Sequence, residues 1–212
     1  DCKPDKKHGI NRLIVAYDCT VYIDRVHCRK FRHCGKVSIS GTGHKEESNM
    51  AEERSDCINR LHMEMIALYR GDTKRIQHFC KVYHYARLIG QEENLHPDMQ
   101  LILEAAALTH DIGIHRCEEM YGECGGKLQE QEGPAIARKL LYRLSFPPYA
   151  VERVSYLIAH HHTYENIQGN DYRILVEADF LVNLYEDSIS KEGTKLFFAR
   201  KQGGSFAGKC MI

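Results

Sequence analysis

The sequence has no excess of charge of either sign. Its 212 residues contain 29 lysines and arginines and 29 aspartates and glutamates, so the formal net charge is zero. A neutral chain has no overall positive field to attract nucleic acid or anionic lipid. It also lacks an apolar run of about eighteen residues, the length needed to span a bilayer, and its polar first residues do not resemble a secretory signal. We therefore expect a cytoplasmic protein that binds neither nucleic acid nor membrane.

Cysteine is present, but not in the pattern of a disulfide-stabilised fold. The nine cysteines are odd in number and irregularly spaced, which is typical of reduced thiols. Hydrophobic residues make up 43% and charged residues 27% of the chain, a composition that excludes a disordered, collagen-like or coiled-coil protein. We expect one main domain with a buried core. The unusual feature of the composition is its thirteen histidines.

Residues 1–49 differ from the remainder because they show no sustained helical period. Four zinc-type ligands lie close together in this segment: His27, Cys28, His33 and Cys34. They lack the paired knuckles of a structural zinc site. We predict an N-terminal extension that is poorly organised or foreign to a domain beginning at Met50. A zinc- or thiol-dependent interaction module is the alternative.

From residue 50 to residue 187, hydrophobic residues recur every three or four positions, a spacing typical of amphipathic helices. Asp72 can cap the second helix, and Asp98 can cap a strongly apolar central helix that ends at Gly113. We therefore predict an all-α fold, a bundle of about six helices over residues 50–187. A weakly packed C-terminal tail is expected at residues 188–212.

Glycine and proline divide the second half of this helical region. Residues 115–131 are rich in glycine and poor in apolar residues, which predicts a long surface loop. Pro134 is typical of a helix start, and Pro147 with Pro148 forces a break after it. Asp171 can cap a final helix.

Three separated elements carry acids or histidines within helical, apolar surroundings. His78 lies on the second predicted helix, His110 and Asp111 end the central helix, and Asp179 lies on the last. A buried carboxylate without a partner costs several kcal/mol, so a cation explains such a cluster economically. Two imidazoles and two carboxylates suit a divalent metal ion.

These elements resemble the HD superfamily of metal-dependent phosphohydrolases across about residues 54–187. The pattern RxxHxxxVxxxA spans residues 75–86, AAxxHDIG spans residues 106–113, and an Ala-Asp pair stands at positions 178 and 179. The resemblance implies an HD-domain helical bundle. It assigns metal ligation to four residues: His78, His110, Asp111 and Asp179.

Branches of this superfamily that hold two metals, among them symmetrical dinucleoside-polyphosphate hydrolases, add two further histidines. Glu132 stands where the first of these would be, and His162 matches the second. Glutamate is a competent ligand for iron, manganese or magnesium, so a second ion stays open. The alternative for the three histidines at positions 160–162 is a polar helix end. The resemblance does not choose among manganese, iron, cobalt, magnesium and zinc.

The resemblance implies hydrolysis of a phosphoester or phosphoanhydride by a metal-activated water. Asp111 would orient the metal, His161 is a candidate general acid, and Arg75 could contact a substrate phosphate near a helix start. We expect a small phosphorylated substrate, of which a nucleotide is the leading candidate. The alternative is a catalytically silent domain that senses nucleotide and metal. The sequence leaves the particular substrate and the oligomeric state open.

Overall fold

A computed structural model describes residues 43–188, with side chains from residue 49 onward. This part of the chain folds into seven α-helices and no strands, so the predicted all-α bundle is confirmed. The helices are α1 Gly43–Leu68, α2 Thr73–Glu92, α3 Pro97–Thr109, α4 Ile114–Tyr121, α5 Gly126–Arg143, α6 Pro148–Ile158 and α7 Asn170–Glu186. None of these helices is both long and apolar enough to cross a membrane.

Helix α1 begins at Gly43, so it runs through the domain boundary predicted at Met50. The predicted extension before Gly43, with its four zinc-type ligands, lies outside the described residues, as does the predicted tail after residue 188. Helix α1 buries Leu61 and Met65 completely or almost completely. Asp72 then caps α2, because its carboxylate accepts a hydrogen bond from the Arg75 backbone N–H.

Helix α3 is the central element of the bundle. It contacts α1, α2, α6 and α7, and every residue from Leu101 to Thr109 is buried, as its continuous apolar sequence predicts. Its cap differs from the prediction. The His96 side chain accepts the Asp98 backbone N–H, Pro97 occupies the first turn, and Asp98 lies one position inside the helix.

The predicted long loop at residues 115–131 is wrong. Helix α4 occupies its first half, and α5 begins at Gly126, which leaves Pro134 inside a helix rather than at its start. The glycines mark helix ends instead of irregular chain: Gly122 ends α4 in a left-handed conformation, with φ at 72°. This added helix is why the bundle has more helices than we expected.

Two glycines bring the end of the central helix against α5. A Cβ on Gly113 would lie 3.0 Å from the backbone nitrogen of Gly133, and a Cβ on Gly133 would lie 2.8 Å from the Ile158 side chain. Only residues without side chains permit this approach. The segment that carries His110 and Asp111 therefore packs directly against α5 and α6.

Candidate metal centre

The four residues assigned by motif converge in the structure from three helices. Helix α2 provides His78 and α7 provides Asp179, whereas His110 caps the C-terminus of α3 and Asp111 follows in the turn, because α3 ends at Thr109 rather than at the predicted Gly113. The two histidine Nε2 atoms are 3.2 Å apart. The Asp179 Oδ1 atom lies 3.2 Å from the His78 Nε2, and the Asp111 Oδ2 atom lies 3.4 Å from the His110 Nε2. We call these four residues the His/Asp cluster.

The separations within the His/Asp cluster fit ligands of a single ion. Ligand atoms about 2.1 Å from a metal, at tetrahedral or octahedral angles, stand about 3.0–3.4 Å from one another. Two further separations are only slightly longer, at 3.6 Å from His78 Nε2 to Asp111 Oδ2 and 3.7 Å from His110 Nε2 to Asp179 Oδ1. His78, His110 and Asp111 can present three ligand atoms within 4.8 Å of one another, whereas Asp179 lies outside this group although it is close to both histidines.

The hydrogen bonds of the histidines leave their Nε2 atoms facing inward as acceptors. His110 Nδ1 lies 2.9 Å from the Ala107 carbonyl oxygen, and His161 Nδ1 lies 2.7 Å from the Ile158 carbonyl oxygen. A carbonyl only accepts, so each Nδ1 carries the proton. His78 Nδ1 correspondingly faces a carboxylate oxygen, at 2.9 Å. Lone pairs therefore face carboxylates, which is unfavourable unless a proton or a metal ion lies between them.

The charges of the cluster depend on one another. Burial works to lower the pKa of His78, but Asp179, Asp111 and Glu186 outweigh it and raise the pKa to about 9. His110, which is fully buried, has a lowered pKa because burial dominates. Burial also works to raise the pKa of Asp111 and of Asp179, yet the surrounding histidines hold both below their usual value. Both acids are therefore ionised at neutral pH.

Asp111 connects this cluster to a second group of potential ligands. Its Oδ2 faces His78 and His110, whereas its Oδ1 lies 3.5 Å from His161 Nε2. Asp111, His161 and His162 can present three ligand atoms within 4.8 Å of one another. His161 is 1% exposed, and its Nε2 has no hydrogen-bond partner within residues 43–188. This orphaned buried nitrogen is what a second cation would satisfy.

Electrostatics distinguish the two histidines of this second group. Burial lowers the pKa of His162, with help from the neighbouring His161, to about 4, so its ring is neutral and able to ligate. Burial also works to lower the pKa of His161, but the Asp111 carboxylate reverses the shift and raises it. Thus His161 holds a proton more readily than His162 does.

Helix α5 places Gln129, rather than Glu132, next to His162 in the second ligand group. Gln129 Oε1 lies 3.2 Å from His162 Nε2. Glu132 belongs to neither ligand group; its carboxylate accepts a hydrogen bond from the Tyr121 hydroxyl at 3.0 Å. The first turns of α5, from Gly126 to Gln129, face His162, and Glu132 lies one turn later in the helix.

The backbone around His162 is fixed by α5 as well. Glu130 Oε1 accepts hydrogen bonds from the His162 backbone N–H at 3.0 Å and from the Thr163 hydroxyl at 2.9 Å. The ring of His162 packs against Gly126, where a Cβ would lie 2.7 Å from it. The sequence Gly-Lys-Leu-Gln-Glu at the start of α5 thus holds the last of the three consecutive histidines in place.

Arg75 lies one turn before His78, at the start of α2, but two acids already bind its guanidinium. Its nitrogens lie 2.5 Å from Asp72 Oδ2 and 2.5 Å from Glu118 Oε1. The carboxylate of Asp72 also faces His115, which lies outside both ligand groups. A phosphate contact by Arg75 would therefore compete with two existing ion pairs.

Sequence reasoning missed three residues that hold the centre together. Glu186 bonds the outer nitrogen of His78, Gln129 faces His162, and the Tyr69 hydroxyl donates to the Asp111 carbonyl oxygen at 2.8 Å. Spacing could have identified one of them. Glu186 follows Asp179 by two helical turns and therefore shares its face of α7.

An all-helical bundle whose central helix ends in a His/Asp cluster of this geometry defines a candidate metal-binding domain. A sequence model of the HD domain matches residues 75–199, more than half of the 212 residues. The chain therefore belongs to the HD-domain family, whose members generally are metal-dependent hydrolases. Comparison with curated proteins and comparison with solved structures each gave no match.

Proposed function

We propose that this HD-domain protein is a metal-dependent phosphohydrolase whose substrate is a nucleotide-like phosphoester or phosphoanhydride. The observation that carries the proposal is the inward-facing set of Nε2 atoms of His78, His110 and His161, opposed to the carboxylates of Asp111 and Asp179. Such a set is stable only with protons or a cation between its members. Membership of the HD-domain family supports the cation.

The His/Asp cluster would hold the first ion through His78, His110, Asp111 and Asp179. A divalent cation, when bound, makes water nucleophilic near neutral pH and withdraws charge from phosphoryl oxygens. Asp111 fixes the distance between the two ligand groups, because its two oxygens face different histidines. Tyr69 holds the backbone of Asp111 from the opposite side.

We further propose that Asp111, His161 and His162 hold a second ion, with the Gln129 side-chain oxygen as an additional metal ligand. The orphaned Nε2 of His161 and the neutral ring of His162 support this proposal. Metal analysis of the purified protein should give two ions per chain, and one after His162→Ala. Glu132→Ala is the matched control and should retain both ions. One ion in the wild type would reject the second site and leave His161 free to act as a proton donor.

The nucleotide part of the proposal rests on the HD-domain family and on aromatic groups near the centre. Tyr164 is 57% exposed, and its pKa is raised, first by partial burial and then by the charges of Asp179 and Glu130. An exposed phenol beside the ligands is suited to stacking on a base. The likeness to dinucleoside-polyphosphate hydrolases makes those substrates one class to test beside nucleoside monophosphates and cyclic dinucleotides.

The deciding experiment measures phosphate release from these nucleotides with manganese, cobalt, iron or magnesium. We expect release by the wild type that requires metal and disappears in Asp111→Ala. Asp98→Ala is the matched control. Asp98 lies at the start of α3, the helix that precedes Asp111, and its carboxylate pairs with Arg54 on α1. We expect this variant to retain activity.

A second candidate function has one observation in its favour. The guanidinium of Arg75, which lies near the start of the His78 helix, is already bound by Asp72 and Glu118. A domain that binds nucleotide and metal without turnover would leave that arginine in its ion pairs. Bound metal without phosphate release in the wild type would favour this sensing function over hydrolysis.

A further inference from the structure

Helix α7 contacts both ring nitrogens of His78. Asp179 Oδ1 lies 3.2 Å from Nε2, and Glu186 Oε2 lies 2.9 Å from Nδ1. The two acids are separated by two helical turns, so they lie along one face of α7 and hold the imidazole between them. This arrangement leaves the ring no freedom to exchange its two nitrogens.

Glu186 is itself held in place by the helix that carries His78. Its second carboxylate oxygen, Oε1, lies 2.5 Å from the Lys81 ammonium nitrogen. Lys81 follows His78 by three residues and therefore lies on the same side of α2. The Glu186 side chain is only 12% exposed, against 41% for that of Lys81. The lysine takes one oxygen, and the other remains for the histidine.

Among the three histidines of the centre, His78 differs in its outer partner. His110 and His161 donate their Nδ1–H groups to neutral backbone carbonyls, whereas His78 donates to a carboxylate. A carboxylate partner fixes the tautomer and makes the imidazole a stronger donor to a metal ion. The motif residues alone therefore do not account for how His78 is oriented.

We propose that Glu186 is a positioning residue for the metal centre: it orients His78 through Nδ1, so that Nε2 faces the ion, and Lys81 orients Glu186. This inference rests on the proposed function, because it requires that the His/Asp cluster binds metal. Glu186 does not touch the ion and acts only through His78.

The test compares metal affinities of full-length variants by titration calorimetry with manganese and cobalt. Glu186→Ala should weaken binding about 10- to 100-fold, the usual effect of losing such an outer partner. Glu186→Gln keeps an oxygen that can accept the Nδ1–H, so it should recover most of the loss. Lys81→Met should have an intermediate effect, because it frees Glu186 without removing it.

Glu93→Ala is the matched control. It removes another carboxylate that ties α2 to α7, through Arg173, but it does not contact the His/Asp cluster. We expect this variant to bind metal like the wild type. The visible absorption of bound cobalt should change in Glu186→Ala and not in Glu93→Ala, which distinguishes altered ligation from a loosened helix packing.

The outcomes separate this inference from the proposed function. Wild-type affinity and cobalt absorption in Glu186→Ala would overturn the role of Glu186 while leaving the metal centre intact. A wild type that binds neither ion would overturn the metal centre and the role together. If circular dichroism shows that Glu186→Ala does not fold, Lys81→Met decides: unchanged affinity and unchanged cobalt absorption in this variant would overturn the inference.

Discussion

The same pair of helices, α2 and α3, buries two polar clusters whose buried polar atoms are satisfied in different ways. The His/Asp cluster lies where His78 meets the end of α3. The second, which we call the Glu104 cluster, contains Tyr83, Gln100 and Glu104. In the Glu104 cluster, Gln100 Nε2 donates to Glu104 Oε1 at 2.8 Å, and the Tyr83 hydroxyl donates to Oε2 at 3.4 Å. Each carboxylate oxygen there has a donor.

The two clusters differ in whether neighbouring side chains provide hydrogen-bond donors to the buried carboxylates. The Glu104 carboxylate receives its hydrogens from its own neighbours, so this charge can be buried without any added group, although the buried side-chain oxygen of Gln100 has no hydrogen-bond partner among the described residues. In the His/Asp cluster, one ring nitrogen of each histidine is turned outward, to a carbonyl or to Glu186, and the inward Nε2 atoms face carboxylates, a contact that is favourable only with a further proton, as on His78, or with a cation. A buried polar group is therefore evidence for a ligand only when its neighbours fail to satisfy it.

The largest expected difference between the two clusters is that metal should stabilise the folded protein through the His/Asp cluster and not through the Glu104 cluster. In the proposed function the folded His/Asp cluster binds the ion and the unfolded chain does not, so manganese at about 100 times its dissociation constant should stabilise the protein by about 2.7 kcal/mol. For a chain of this size that raises the unfolding temperature by about 5–10 °C. Differential scanning fluorimetry with manganese and with EDTA measures the shift.

The variant Asp179→Asn tests whether this shift comes from the His/Asp cluster. It preserves the shape of the side chain but removes one charged ligand, so the metal-induced shift should nearly disappear. Tyr83→Phe alters the Glu104 cluster instead and should retain the full shift. A shift of equal size in Asp179→Asn would show that the metal stabilises the protein from another site.

The sequence was sufficient to locate the His/Asp cluster, because each ligand lies in a motif with fixed helical context. His78, the His110-Asp111 pair and Asp179 are far apart in the chain, yet burial of three apolar helix faces brings the Nε2 atoms of both histidines within 3.2–3.7 Å of the two carboxylates. Helix periodicity likewise predicted the central helix. These features depend on local patterns that a single sequence displays.

The positions that sequence missed depend on helix phase and on tertiary contacts. Glycine-rich composition suggested a loop at residues 115–131, but the glycines cap α4 and start α5. Glu132 is predicted because it stands where the two-metal branches of the superfamily have a histidine, and nothing in the sequence indicates Gln129, whose place beside His162 depends on the packing of α5. Glu186 belongs to no motif, and its role depends on a contact with His78 across 108 positions of the chain.

A smaller effect should appear in the pH dependence of metal binding. The pKa of His78 is about 9 in the metal-free protein, so below pH 9 the ion must displace a proton. Affinity should rise about tenfold per pH unit toward pH 9 and then level off. Calorimetry in buffers of different ionisation enthalpy measures both the affinity and the released proton.

The same pKa predicts that the stability of the metal-free protein falls as the pH rises, whereas its metal affinity increases. A histidine whose folded pKa lies above 6.5 stabilises the fold fully below pH 6.5, and this contribution is lost as the pH rises through about 9. Thermal unfolding in EDTA should therefore show a decline over this range that His78→Gln lacks. Metal affinity that is constant between pH 7 and pH 9 would contradict a protonated His78.

The smallest expected effect concerns the Glu104 cluster. Burial raises the pKa of Glu104, although Gln100, Arg87 and Tyr83 work to lower it. A raised folded pKa means that the acid favours the fold most below its ordinary value of 4.5 and that this stability is lost as the pH rises. Glu104→Gln is neutral at every pH and keeps an oxygen for Gln100, so it should stabilise the protein at pH 7 by roughly 0.5 kcal/mol. Urea unfolding should show that gain shrinking toward pH 4.5, with metal affinity unchanged; a loss of metal affinity would mean that the two clusters are coupled through α3.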